Sequence, residues 1–240
     1  MKVAKFGGSS LASSNQLQKV IDIIRGDSKR RAVVVSAPGK RFADDRKVTD
    51  LLIDYANVVL KKANPVAIQH AILARYQEIA TGFNLPASEF QPIHDHIMQL
   101  PDHDYPSADY LLDAFKAAGE DNNAKLIAAI LNHLGMPSHY LSPREAGLLV
   151  SATPGDAQVL PESYAQLAAF KKSKTLLIIP GFLATLRMVR FVLSHVVAPI
   201  LLVPSLPVRL RQSYMKTSPT LTQFMQLTRI LWHIQRQLNI

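Results

Sequence analysis

The feature that most constrains the fold is the opening segment, Lys2-Val-Ala-Lys-Phe-Gly-Gly-Ser-Ser10, in which an apolar strand runs directly into a pair of glycines. Glycine allows close backbone approach, so the amides of such a turn can point at a phosphate. Lys5 lies on the same face of the strand as Gly7, within reach of a bound phosphate chain. The segment predicts a strand followed by a phosphate-binding turn. The alternative is an ordinary corner with a surface lysine, because a glycine pair alone is weak evidence.

Hydrophobic periodicity predicts alternating helices and strands after this turn. Residues 14–26 carry apolar side chains at helical spacing, and residues 32–36 form a continuous apolar run typical of a buried parallel strand. Further helices are predicted over residues 48–60, 67–82, 108–118 and 123–134, and short strands near residues 139–141, 148–151 and 176–179. The pattern predicts an α/β domain with a mainly parallel central sheet. The helix over residues 14–26 is expected to add the positive end of its dipole to the phosphate site.

The excess positive charge is confined to the end of the chain. The net charge is +9, but residues 1–182 hold twenty Lys and Arg against eighteen Asp and Glu. Residues 183–240 hold seven Lys and Arg and no Asp, Glu or Gly. The domain itself is therefore not expected to bind nucleic acid. The lack of cysteine excludes disulfides and thiolate chemistry, and a start without an apolar signal sequence predicts a cytoplasmic protein.

The opening motif resembles the signature of the aspartokinases, within the amino-acid kinase family. Further segments resemble that family in the same order, namely Val35-Ser-Ala37, Lys47-Val-Thr-Asp-Leu-Leu52, Gly119-Glu120, Arg144-Glu-Ala-Gly147, Val159-Leu-Pro-Glu-Ser-Tyr164 and Ile178-Ile-Pro-Gly-Phe182. The resemblance covers residues 1–182. It implies an amino-acid-kinase-like sandwich around the parallel sheet, cut short after about residue 182.

The resemblance also implies roles for nine residues. The nucleotide phosphates are expected at Lys5, Gly7, Gly8 and Ser9, with Lys5 as the catalytic cation. The substrate is expected at Ser36 and Thr49, which hold its side-chain carboxylate, at Glu120, which accepts its ammonium group, and at Gly181 and Phe182, which line the pocket. From the residues alone, Ser36 could be a strand-end hydroxyl, and Thr49 and Glu120 could be ordinary early-turn helix residues.

The activity implied by the resemblance is transfer of the ATP γ-phosphoryl group to the β-carboxylate of L-aspartate, the first step towards lysine, threonine and methionine. A carboxylate with a pKa of about 4 is already ionised, so no general base is required. The site must instead bring an anion up to a polyanion, with Mg²⁺ carried by the nucleotide. A homo-oligomer is expected for an intact family member but not for this chain. One alternative is another member of the family with a different acceptor.

Two histidine motifs, His94-Asp-His96 and Asp102-His-Asp104, have the composition of metal ligands. Residues two positions apart diverge on a helix, and no third ligand has the spacing of a compact site. The expectation is therefore a solvated loop and no metal site in the protein.

Residues 183–240 are predicted to be read out of frame. A second substrate segment, Ser-Arg-Gly-Gly-Ser-Asp, is expected after Phe182 from the family resemblance, and nothing here corresponds to it. If one base is lost near Phe182, each original codon combines the third base of one present codon with the first two bases of the next. The codons of residues 194–200 can then spell that segment, and those of residues 217–222 can spell the family-like Phe-Thr-Asp-Val-Asp.

This interpretation divides the chain into the N-terminal part of a catalytic domain, residues 1–182, and an aberrant tail, residues 183–240, with the regulatory domains expected from the resemblance absent. A frameshift also explains why the tail lacks acids and glycine. Two alternatives for the tail are a membrane anchor, since residues 191–208 are uncharged, and a basic nucleic-acid-binding tail. Three prolines in the uncharged run argue against the anchor. The expected partner is L-aspartate, with no nucleic acid and no membrane, although a membrane or interaction protein built on half a kinase domain is a further alternative.

Overall fold

The computed structural model describes residues 1–149 and 160–181, which form six α-helices and four strands. In chain order the elements are β1 (Lys2–Phe6), α1 (Ser14–Arg25), β2 (Arg30–Val35), α2 (Val48–Leu60), α3 (Val66–Gly82), α4 (Ala87–Gln99), α5 (Ala108–His133), β3 (Ser138–Tyr140), α6 (Glu162–Ala169) and β4 (Leu176–Pro180). Single turns of 3₁₀ helix lie at Gly8–Leu11, Leu100–Asp102 and Phe170–Lys172. Phe182 and the predicted tail lie outside the described residues.

The four strands form one parallel sheet in the order β1-β2-β4-β3. Ala32 to Val35 of β2 are all buried, because this strand is paired on both sides and covered on both faces. The predicted α/β class with a mainly parallel sheet is therefore confirmed. The latest strand in the sequence, β4, lies between β2 and β3, so the centre of the sheet joins segments that are far apart in the chain.

One face of the sheet packs on a large helical core. The apolar stripe of α1 predicted from the sequence, Leu17, Val20, Ile21 and Ile24, is buried there. Within this core Tyr55 of α2 meets Phe115 of α5, with ring centroids 4.7 Å apart in an edge contact. Such aromatic pairs contribute beyond their buried area, by about 0.5–1.5 kcal/mol. A smaller cluster around Leu141, Ala146 and Leu177 forms separately from this core.

Two helices differ from the sequence predictions. The predicted loop around His94 and His96 is wrong, because both residues lie on α4, whose Phe90, Ile93 and Ile97 are buried on one side. Pro92 inside this helix removes a backbone donor, but the burial of that stripe outweighs the loss. The two helices predicted over residues 108–118 and 123–134 are one continuous helix, α5, which passes through Gly119.

The strand predicted near residues 148–151 is not formed at Leu148 and Leu149, and the rest of that segment lies outside the described residues. Within residues 1–149 and 160–181, no helix combines the length and apolar character needed to cross a membrane. The uncharged run at residues 191–208 lies outside the described residues.

Candidate functional site

The candidate site begins where three neighbouring strands end at the same edge of the sheet. Phe6 of β1, Val35 of β2 and Pro180 of β4 are in register. The pairing continues one residue further, since the amide of Ser36 donates to the Phe6 carbonyl at 3.2 Å and the amide of Gly181 donates to the Val35 carbonyl at 3.0 Å. The carboxyl ends of parallel strands in open α/β sheets are the usual place for a ligand. The glycine turn, Ser36 and Gly181 are therefore placed side by side.

The glycine turn departs sharply from the strand. Gly8 begins the 3₁₀ turn Gly8–Leu11, and a Cβ at Gly8 would lie 2.7 Å from the Ala37 carbonyl oxygen, so only glycine fits there. A Cβ at Gly7 would meet nothing within 4 Å, which leaves that side open to a ligand. Gly8 therefore closes the turn against the segment after β2, while Gly7 leaves its outer side accessible.

Helix α1 follows the glycine turn and begins where the sequence predicts. Helix α1 begins at Ser14, and the Ser13 side chain accepts a hydrogen bond from the Gln16 amide at its N-terminus. The first turn of α1 is thus capped by the protein itself. The contribution of the α1 dipole to a phosphate at Gly7 and Gly8 stays a prediction.

Lys5 and Glu120 reach this edge of the sheet from two different secondary-structure elements. Lys5 is on β1 and Glu120 is on α5, and the negative charge of the Glu120 carboxylate attracts the positive charge of the Lys5 ammonium group. Burial lowers the pKa of Lys5 below its usual value, and the negative charge of Glu120 opposes that shift. The structure thus brings together a cation and an anion that the sequence separates by more than a hundred residues.

Close packing at Gly119 explains how α5 places Glu120 at this edge. A Cβ at Gly119 would lie 2.8 Å from Cδ1 of Leu52 and 3.1 Å from Cβ of Ala37, so α5 packs closely at this edge and a larger residue would require Leu52 to move. The hydroxyl of the fully buried Tyr76 donates to the Gly119 carbonyl at 2.7 Å. Gly119 is therefore held by packing against Leu52 and by the hydrogen bond from Tyr76. These contacts also fix the position of the next residue, Glu120.

Gly181 leaves room for the Glu120 carboxylate. A Cβ at Gly181 would lie 3.2 Å from Oε2 of Glu120 and 3.2 Å from Cγ1 of Val34. Larger side chains at this position would press against the carboxylate. Phe182, the other residue predicted to line the pocket, is outside the described residues.

Ser36 and Thr49 are held at the two ends of the segment that joins β2 to α2. The carbonyl of Ser36 accepts a 2.6 Å hydrogen bond from the Asn123 side chain, which ties the end of β2 to α5. The amide of Val48 donates to the Pro38 carbonyl at 3.1 Å, so α2 starts beside the end of β2. Thr49, partly buried in the first turn of α2, is brought to the same edge of the sheet as Ser36.

The sequence did not reveal the residues that support this site. The amide of Gly39 donates to the Gly8 carbonyl at 2.8 Å. In the sequence Gly39 follows Pro38, and such a pair indicates a turn but not the segment that the turn contacts. Arg75, only 4% exposed, lies on the buried side of α3 between Ile72 and Ile79. A basic residue within an apolar stripe is the signal that could have identified it, because buried arginines are almost always paired.

The histidines of α4 make separate interactions. Nδ1 of His94 lies 3.0 Å from its neighbour Asp95, whereas Nδ1 of His96 lies 2.8 Å from Oδ1 of Asn122 on α5. Across the parts of the chain that the structure describes, no group of three or more His, Cys, Asp or Glu could hold a metal ion.

The chain is similar in sequence and in fold to known proteins. Residues 1–190 match the sequence model of the Amino acid kinase family. The chain is 49% identical to Aspartokinase 3 of Bacillus subtilis (strain 168) over 182 residues, which is 76% of this chain and 40% of that protein. It is similar in structure to the aspartate kinase of Clostridium acetobutylicum, with a TM-score of 0.56 and 29% identity over 75% of this chain and 38% of the other.

A third similar protein was solved with ligands bound. E. coli aspartokinase III in complex with aspartate and ADP (R-state) gives a TM-score of 0.54 at 25% identity, over 75% of this chain and 40% of that one. The chain thus spans about two fifths of the length of the relatives that it matches.

Proposed function

Because the chain belongs to the amino acid kinase family, we propose that its described edge is part of an active site that transfers the γ-phosphoryl group of ATP to the β-carboxylate of L-aspartate. The observation that supports this most directly is the meeting of Lys5, the glycine turn and Glu120 at one edge of the sheet. A cation and an open turn suit the phosphates, and a carboxylate suits the α-ammonium group of an amino acid.

The phosphate side consists of Lys5, Gly7, Gly8 and Ser9. The open side of Gly7 allows a phosphate to approach the backbone amides, and the ammonium of Lys5 is partly desolvated, which strengthens its attraction for an anion. Mg²⁺ bound to the nucleotide would neutralise further charge on the phosphates. The residues present therefore fit a nucleotide phosphate chain.

The substrate side consists of Glu120 for the ammonium group, Ser36 and Thr49 for the β-carboxylate, and Gly181 and Phe182 as lining. A carboxylate oxygen of aspartate attacks the γ-phosphorus, the bond from phosphorus to the bridging oxygen breaks, and ADP leaves with that electron pair. The nucleophile is already ionised near neutral pH, so no residue must remove a proton. The task of the protein is to bring two anions together, which Lys5 and the turn amides make possible.

In this proposal the reaction is the first step towards lysine, threonine and methionine in the cytoplasm, and an intact family member would be a homo-oligomer. The similarity of this chain to three aspartokinases supports this assignment. A different acceptor would have to lack an ammonium group or place it away from Glu120. A panel of amino acids and other carboxylic acids as acceptors separates these cases.

For residues 183–240 the proposal is that they are read out of frame. The support is compositional, since the tail has no Asp, Glu or Gly, and its codons can spell Ser-Arg-Gly-Gly-Ser-Asp in the shifted frame. The arginine of that segment would bind the α-carboxylate of the substrate by two hydrogen bonds. Loss of one partner of such a buried charged pair costs about 2–5 kcal/mol, so the chain as it stands is expected to be inactive.

The first step is to sequence the gene from codon 175 onward. Two proteins are then compared, namely the present chain and the protein encoded after one base is restored at codon 182. Hydroxamate formation from ATP, aspartate and hydroxylamine is expected only from the second protein. In that protein Glu120→Gln should raise the KM for aspartate strongly, whereas Glu145→Gln, at an exposed glutamate, should not. Activity of the present chain, or an unaffected Glu120→Gln, would contradict the proposal.

A further inference from the structure

A single guanidinium group holds both ends of the segment that follows β2. Arg75 of α3 donates from Nη2 to the Gly39 carbonyl at 2.7 Å and from Nη1 to the Arg46 carbonyl at 2.5 Å. Gly39 and Arg46 are seven positions apart, and both carbonyls accept from the same planar fork. Arg75 thus bridges the two ends of the loop between them.

The charge of Arg75 is balanced inside this loop. Oδ2 of Asp45 lies 3.2 Å from Nη1 of Arg75, and the Asp45 side chain is only 8% exposed. Arg41 donates to the same carboxylate from its amide, Nε and Nη2 at 2.8–2.9 Å. Hydrogen bonds from Arg41 hold the pKa of Asp45 well below its usual value, so the carboxylate stays ionised beside Arg75.

The two ends of this loop contact the two parts of the candidate site, the glycine turn and the start of α2. At one end the Gly39 amide donates to the Gly8 carbonyl, and a Cβ at Gly39 would lie 2.6 Å from the carbonyl carbon of Gly8. At the other end Arg46 lies three residues before Thr49 in the first turn of α2. Movement of the guanidinium would therefore shift the glycine turn and the start of α2 relative to each other.

We propose that Arg75 is a positioning residue that sets the separation between the phosphate turn and the start of α2, and with it the separation of the nucleotide and the acceptor. The inference rests on the function proposed above for these two parts of the site. Arginine suits the role because its flat fork fixes two acceptors at once, whereas lysine offers a single point of charge. Near-attack geometry is sensitive to displacements of this kind.

The test compares the full chain with its Arg75→Lys variant by amide hydrogen exchange and by calorimetric titration with Mg·ADP. Exchange is expected to rise in residues 7–11 and 37–48 while β2 keeps its protection, because the anchor is lost but the core is not. The affinity for ADP is expected to fall by on the order of tenfold, as for the loss of one charged hydrogen bond. The exposed Arg25→Lys is the matched control and should change neither readout.

The outcomes separate the inference from the proposed function. Unchanged exchange in both segments overturns the positioning role, and so does an equal rise of exchange throughout β2, which indicates a general loss of stability. If Arg75→Lys unfolds, Asp45→Asn decides, because it removes the charge that lies 3.2 Å from Nη1 of Arg75 without adding an atom to the glycine turn. Raised exchange in residues 7–11 then supports the role, and unchanged exchange overturns it. Failure of the unaltered chain to bind ADP contradicts the proposed nucleotide site. In that case the hydrogen-exchange measurements alone still test the positioning role of Arg75.

Discussion

Replacement of Tyr76 by phenylalanine tests how α5 is held at the site. The ring of Tyr76 is fully buried, and its hydroxyl donates to the Gly119 carbonyl at 2.7 Å. Burial raises the pKa of Tyr76 far above its usual value, so the hydroxyl stays neutral and the effect should not depend on pH. Phenylalanine keeps the packing of the ring and removes only the donor.

The expected loss of stability follows from that geometry. A buried acceptor left without its donor costs about 1–3 kcal/mol. The Gly119 carbonyl lies within α5, where it also accepts the intrahelical bond, so the lower half of the range applies, about 1–2 kcal/mol. With a urea dependence of about 2 kcal/mol per molar, the midpoint of unfolding should fall by roughly 0.5–1 M.

Urea unfolding of the full chain followed by far-UV circular dichroism measures this shift. Tyr110→Phe is the control, because Tyr110 lies on α5 but is only partly buried, and its midpoint should stay within about 0.2 M of the parent. If Tyr76→Phe shifts the midpoint no more than Tyr110→Phe does, the hydrogen bond to Gly119 contributes nothing and the reasoning is refuted.

Three further results are expected. Gly8→Ala should destabilise the chain by about 1–3 kcal/mol in thermal melts, because its Cβ would clash with the Ala37 carbonyl oxygen. Gly7→Ala should change stability far less, because its Cβ would meet nothing within 4 Å. Equal effects of the two substitutions would contradict the packing described. Asp45 has a native pKa depressed by Arg41, so its stabilisation is present above the unfolded pKa of about 4 and is lost as the pH falls below it. Asp45→Asn should therefore make the free energy of unfolding less dependent on pH below about 4. An unchanged dependence would contradict the stabilising role of the Asp45 carboxylate. Ile178→Ala, at a fully buried position in β4, should cost about 2–5 kcal/mol by urea unfolding; a cost below 1 kcal/mol would show that the sheet centre is poorly packed.

Helices with a clean apolar stripe could be predicted from the sequence, and helices with a local exception could not. The stripe of α1 predicted its bounds to within one residue. Pro92 hid α4, because a proline usually interrupts a helix, and the burial that compensates for it depends on tertiary contacts. Gly119 suggested a break in α5, but the structure uses this glycine for close packing against Leu52.

The same distinction holds for the candidate site. Lys5 and the glycine pair were predictable because strand, turn and cation are contiguous in the sequence. Arg75 was not, since the Gly39 and Arg46 carbonyls that it binds lie 36 and 29 positions away. The apolar stripe of α3 indicates that this arginine is buried, but not which segment of the chain covers it.

The strand order described above also fixes when this domain can assemble during its synthesis. Ala32 in β2 pairs with Leu177 in β4, so the middle of the sheet must wait until the last described strand has been made. At the usual rate of translation that delay is on the order of ten seconds. The helices α2 to α5, which contact one another over shorter separations, can form first. Until β4 emerges, one edge of β2 remains open to any other strand, and a nascent chain that stops short of residue 176 keeps that edge permanently exposed.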